Sequence, residues 1–305
     1  MKRSQFFFSF SCLICDKFQF RFLFLFRILF DQQRPFHFRY DFIFDRCRAI
    51  RQEIVIQNFP CDKTAKLLEP IVMFLSFSMY RLNGSAISVF DSKICSQHLQ
   101  ECLLKCLTCY DSMEDGEYRM SNRIIIEGIY LLLNMDDTKA LQRAIQLETS
   151  IKSSFIIRTA IQISLNFHLK NFYKLLQGVQ NLPHILTAIA SLKLPVIRKE
   201  TFSMFSIAYN SSTLKVPLDF LQRLLMYDST EILVNDLNCL GIQCLEEEKT
   251  IAVKFESKKF NINKSIVSMQ KGAKCTGKSI VRLLVTLWML LEIKDTVDCL
   301  NDKFW

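Results

Sequence analysis

Two stretches of this 305-residue chain carry residue types at spacings that do chemistry in other proteins. Gly272-Ala273-Lys274-Cys275-Thr276-Gly277-Lys278-Ser279 satisfies G-x-x-x-x-G-K-[ST], in which backbone N–H groups surround phosphates, Lys278 supplies counter-charge and Ser279 reaches magnesium. A strand at Ile266-Val267 and a helix over 280–293 would flank it plausibly. Only 26 residues follow Ser279, too few for the parallel sheet and metal-binding aspartate of that chemistry, so no nucleotide cofactor is expected. His98, Cys102, Cys106 and Cys109 put four soft ligands on one helix face. A straight helix offers about two ligands to a tetrahedral ion, so these read as core thiols and no metal is expected. Cys12 and Cys15 form a C-x-x-C with no second pair. His37, His98, His168 and His184 are scattered, and no Ser or Cys sits in a nucleophile signature. The expectation is a protein that is not an enzyme.

The elements that carry these residues follow from composition. Half the chain is apolar, and only 7 Gly and 6 Pro interrupt it, which favours long helices over short strands. Twelve cysteines without framework spacing read as mostly reduced, buried thiols. A net charge of +9 suits nucleic acid, an anionic membrane surface or an acidic protein equally well. Residues 1–30 hold 10 of the 27 Phe, and Met1-Lys2-Arg3 before the apolar run from Phe6 to Cys15 imitates a secretory signal. That run is short of the roughly 20 residues a bilayer requires, and Asp16, Lys17, Arg21 and Arg27 break its continuation, so no membrane partner is expected. From Phe18 to Phe26 every second residue is Phe, a strand-like period.

Beyond Pro35, the spacing of Phe42, Asp45, Arg46, Ala49, Ile50 and Ile54 predicts a helix from Tyr40 to Asn58, stopped by Phe59-Pro60. Further helices are predicted over 62–82, 92–111, 118–134, 138–149, 152–166 and 168–178, joined closely enough to stack as an antiparallel array. Residues 195–256 read differently. Ile197, Thr201, Met204, Phe205 and Ala208 form one helical stripe, and Pro217 begins a second helix carrying Leu218, Leu221, Leu224 and Leu225. Ser229 caps a third helix, whose Ile232, Leu233, Leu237 and Leu240 face inward and which Gly241 closes. The period then drops to two around the turn Glu246-Glu247-Glu248-Lys249, as in a β-hairpin. The expected fold is all-α: a helical-repeat array over 34–194, a winged helix with a small hairpin over 195–260, a Phe-rich segment over 1–33 and a basic, then apolar, extension over 261–305.

The segment Tyr40-Asp41-Phe42-Ile43-Phe44-Asp45-Arg46-Cys47-Arg48-Ala49-Ile50-Arg51-Gln52-Glu53, ending Ile56-Gln57, resembles the signature helix of the GANP (Sac-homology) family. Gln97 to Tyr110 resembles a following helix of that family. Pro217-Leu218-Asp219-Phe220-Leu221, with Leu224-Leu225 and the preceding Ala208-Tyr209, resembles its winged-helix region. The likeness runs from about Arg34 to Phe260; residues 1–30 replace an expected polar motif, and 261–305 match nothing in the family pattern. The resemblance implies a PCI-type body, with TPR-like helices before the winged helix, that binds protein subunits without catalysis. It implies work in messenger-RNA export and in centrosome duplication and spindle assembly, with a location in nucleus, cytoplasm and spindle. Size and signature wording favour the short, centrosome-associated members.

Within the signature, Asp41, Phe42, Asp45, Arg46, Arg48, Ile50, Arg51, Gln52 and Gln57 are the candidate site residues. Asp45 can pair with Arg48 three residues on, anchoring neighbouring helices, and this structural reading is preferred. The functional alternative makes Arg46, Arg48 and Arg51 an exposed site for RNA or an acidic partner. Residues 229–240 hold Glu231 and Asp236 and no Lys or Arg, which argues against sequence-specific DNA binding. By contrast Lys254, Lys258, Lys259 and Lys264, continued by Lys271, Lys274, Lys278 and Arg282, face only Glu256 in opposition. They suit a non-specific RNA contact or a solubilising tail equally.

Overall fold

The computed structural model describes residues 28–29, 33–113, 120–211, 213–246 and 251–255. The phosphate-loop look-alike, the C-x-x-C, the Phe-rich start and the basic extension lie outside the described residues. Those described divide into two compact units, one built from residues up to 78 with 85–126, the other from 79–84 with 127–255.

In the first unit, α1 (Phe36–Ile56) starts directly after Pro35, four residues earlier than its periodicity predicts. Phe36 earns its place in the helix by meeting Phe77 edge-on at 5.5 Å. Tyr40, Ile43, Cys47, Ile50 and Ile54 form its buried stripe, at alternating steps of three and four. The Tyr40 ring lies parallel to Phe74 at 5.9 Å, which seats α1 on α2 (Cys61–Arg81), and meets Phe90 edge-on at 5.1 Å. Asp91 opens α3 (Ser92–Ser112) by accepting the backbone N–H groups of Lys93 and Ile94. Glu69 on α2 then accepts Tyr110 Oη from α3 and Asn122 Nδ2 from α4 (Met120–Leu133), each at 2.6 Å. One carboxylate thereby ties three helices.

Shorter helices build the second unit: α5 (Thr138–Gln146), α6 (Thr149–Lys152), α7 (Phe155–His168), α8 (Phe172–Asn181), α9 (His184–Ser191) and α10 (Leu194–Ala208). Asp137, Ser154 and Asn171 each accept a backbone N–H of the helix that follows, so the chain restarts a helix wherever a short polar side chain allows. The helix predicted over 138–149 is broken at Leu147-Glu148, where the backbone turns extended. No periodicity foretold α9, because nearly all of it is buried and no polar face marks its turn. Glu127 on α4, almost wholly enclosed, takes both Nε and Nη2 of Arg143 on α5, at 3.1 and 2.8 Å. Between α7 and α8 the Ile163 side chain packs directly on Gly178, where a Cβ would lie 2.9 Å from Ile163 Cγ1.

The last part of this unit contains α10, β1 (Val216–Pro217), α11 (Leu218–Leu224), α12 (Thr230–Cys239), β2 (Gln243–Glu246) and β3 (Ile251–Lys254). The strands form an antiparallel sheet in the order β1-β3-β2, with Val253 facing both Val216 and Cys244. Pro217 stands where the predicted helix begins, as the capping residue before its first turn at Leu218, and it also pairs with Ala252 in the sheet. The predicted α10 stripe needs correction. Met204 and Ala208 face solvent, while Arg198, Phe202 and Ser206 are buried with Ile197 and Thr201. Ser229 caps α12 as expected, and Gly241 at φ 77° closes it. Gly241 and Ile242 donate back to Asn238 and Leu237, which satisfies two terminal carbonyls.

Arg198 is fully buried in this core. Its Nε donates to Leu225 O at 2.9 Å and its Nη2 to Met226 O at 2.6 Å, capping the end of α11. Its guanidinium lies 3.7 Å from the centre of the Tyr227 ring, and Tyr227 Oη donates to Asp236 Oδ2 of α12 at 2.7 Å. Arg198→Met keeps the aliphatic bulk but strands two buried carbonyls, so a loss of about 3 kcal/mol is expected in urea unfolding. Gly178→Val should lose about 2 kcal/mol by overpacking against Ile163, although it removes a helix glycine; a rise in thermal midpoint would contradict the close approach.

Candidate interaction site

The buried stripe of α1 leaves Arg48, Arg51, Gln52 and Val55 to the sides of the helix, and α3 presents His98, Glu101 and Lys105 opposite them. Between α1, α3 and Leu68 of α2 these residues line a groove of about 630 Å³. Arg51 closes one side. Its Nη2 donates to Glu101 Oε2 at 2.5 Å, its Nη1 donates to His98 Nδ1, and Gln97 Nε2 completes the carboxylate's partners at 3.1 Å. Phe44 fixes the His98 ring edge-on at 5.1 Å. The Arg51 and Gln97 hydrogen bonds hold the Glu101 carboxyl below the usual carboxylate range. Burial, then the Arg51 cation, hold His98 below its ordinary value, so the imidazole stays neutral and accepts from arginine.

The other signature residues are dispersed by the helix. Asp41, Asp45, Arg46, Arg48, Gln52 and Gln57 are exposed, and Ile50 is buried. Arg46 lies over the half-exposed ring of Phe42 at 5.8 Å. Asp45 and Arg48 do not pair, and neither has an ion-pair partner among the described residues. An exposed pair of this kind gains too little to fix two long side chains. Arg51 makes an anchor between helices, reaching α3 instead of its own turn. His98, Glu101 and Lys105 were missed as a site; the only sequence signal was the Gln97 to Glu101 spacing of four on one helix.

Cys102, Cys106 and Cys109 are buried, and burial pushes the Cys102 and Cys109 thiols up to about 11. His98, expected on the same face, spends Nδ1 on Arg51. Asp236 does not add to the surface charge of α12, because it is buried beneath Tyr227. Lys254 ends β3 opposite Gln243, whereas Lys258, Lys259 and Lys264 lie outside the described residues. No described helix is long and apolar enough to cross a membrane.

Fold and groove together define a mostly helical protein with a three-stranded sheet among the described residues, and its signature helix is tied to a neighbour through Arg51. Residues 21–246 match the SAC3/GANP family, and the chain belongs to that family. It is 26% identical over 218 residues to Protein xmas of Drosophila melanogaster, covering 70% of this chain and 10% of that protein. The chain thus spans about a tenth of the length of the curated relative it matches.

As pH falls through the ordinary imidazole range, the unfolded chain takes up the His98 proton before the folded one. Stability from this junction is therefore present above that range and lost below it, and Glu101 adds the same sign at more acid pH. Thermal melts at about pH 7.5 and about pH 5.5 should show a larger drop for the native chain than for His98→Asn; equal drops would contradict the neutral imidazole.

Proposed function

We propose that the chain is a non-enzymatic scaffold subunit serving nuclear export of messenger RNA, with partner subunits held along its helices and on its terminal helix-and-sheet part. Membership of the SAC3/GANP family over residues 21–246 carries this reading, because the match takes in every described helix from α1 to α12. The order helix, strand, helix, helix and hairpin, with β1-β3-β2 pairing, supports a winged helix from α10 to β3. The succession of closely linked helices before it supports a PCI-type repeat.

Protein is the favoured occupant of the winged helix. The exposed side of α12 offers Glu231, Asn235 and Asn238, and no Lys or Arg that would meet phosphate. RNA, where bound, is held without sequence preference by basic residues such as Lys254, and no cofactor takes part. A location shared between nucleus and cytoplasm follows. A mitotic role at centrosome and spindle is the second reading, favoured by the wording of the signature helix Tyr40 to Gln57.

An affinity-tagged copy, purified from its own cells with nuclease treatment and identified by mass spectrometry, tests this. Recovery of export-complex or other helical-repeat subunits is expected. Recovery of RNA alone from an untreated sample, with no protein subunit, would overturn the scaffold in favour of an RNA-binding module. Spindle-pole subunits in place of export subunits would select the mitotic role.

A further inference from the structure

We propose that the groove between α1 and α3 binds a short acidic peptide segment bearing aliphatic side chains, contributed by a partner protein. The inference rests on the scaffold reading and assigns one of its docking surfaces. Arg48 and Lys105 both line the groove, are exposed, and have no ion-pair partner among the described residues. The one carboxylate in the lining, Glu101, is already engaged by Arg51. The groove therefore offers two unmatched cations to an incoming chain. Beside them Val55 and Ile56 are 76% and 80% exposed, on a side of α1 that the buried stripe does not use.

That pairing of charge with branched aliphatic surface selects the ligand. Carboxylates satisfy Arg48 and Lys105, while Leu, Ile or Val side chains cover Val55 and Ile56 and recover apolar area from water. Single-stranded RNA would also meet the cations, but its bases are held by aromatic faces. The groove lining has no Phe, Tyr or Trp, and the His98 ring is engaged by Phe44 and Arg51. The volume of about 630 Å³ accommodates a few side chains, not a folded domain.

The test is fluorescence anisotropy on the full chain with a labelled peptide of repeated Leu-Glu-Glu-Leu-Asp units. The comparisons are the same peptide with Ser for Leu, and a labelled oligouridine. The Leu-bearing peptide should bind. Arg48→Glu with Lys105→Glu should weaken it roughly tenfold or more, and Val55→Ser with Ile56→Ser should weaken it several-fold. Since the Ser peptide is read on the unmodified protein, a folding defect in a variant cannot decide the matter. Equal affinity for the Ser peptide, peptide affinity unchanged by both variants, or charge-reversal loss confined to oligouridine would each overturn the groove assignment. The two readings fail separately: subunits still captured from cells while the peptide ignores the variants would sink the groove alone. No captured subunit would sink the scaffold reading.

Discussion

A guanidinium sealed inside the second unit sets the geometry around it. Arg198 is at once the cap of α11, the cation over Tyr227 and, through the Tyr227 hydroxyl, the link to Asp236 on α12. A buried charge is costly unless its donors are met; Nε and Nη2 are met by carbonyls while the buried Nη1 faces no acceptor among the described residues, so α10, α11 and α12 are held to the arrangement in which carbonyls and ring converge on one side chain. Met226, at φ 56°, adopts a left-handed conformation that a residue with a Cβ ordinarily avoids. The hydrogen bond from Arg198 to its carbonyl helps hold it there.

Legibility in the sequence follows the same logic. Elements announced by a local device were readable: the three-and-four stripe of α1, the Ser229 cap of α12, the left-handed Gly241 at its end and the alternating Val253 and Phe255. Elements that exist because of distant partners were not. The core role of Arg198 is invisible because arginine on a helix reads as solvent-facing, and only the carbonyls of Leu225 and Met226 make it internal. Helix α9 has no polar face to give it a period. Strand β1 is two residues long and is defined by its pairing with β3, while Pro217 reads as a helix start.

The signature helix divides its labour by face. One side buries aliphatic and aromatic residues against α2; another sends Arg51 across to α3; a third leaves Arg48, Val55 and Ile56 to solvent. A sequence pattern cannot separate these roles, because it records residue types and not the neighbour each one meets. The groove is a composite of residues 48–56 with 98–105 and Leu68, and three helices had to be placed before it existed.

The outer strand of the sheet has a consequence for association. Sheet edges invite extended chains to add on, and many proteins protect them with charge, bulges or proline. Strand β1 has only two residues, and Pro217 lacks an N–H, so an incoming strand finds almost no ladder to extend on that side. Among the described strands, growth of the sheet by strand addition, whether by a partner's tail or by another copy in the early steps of fibril formation, is left to the β2 edge.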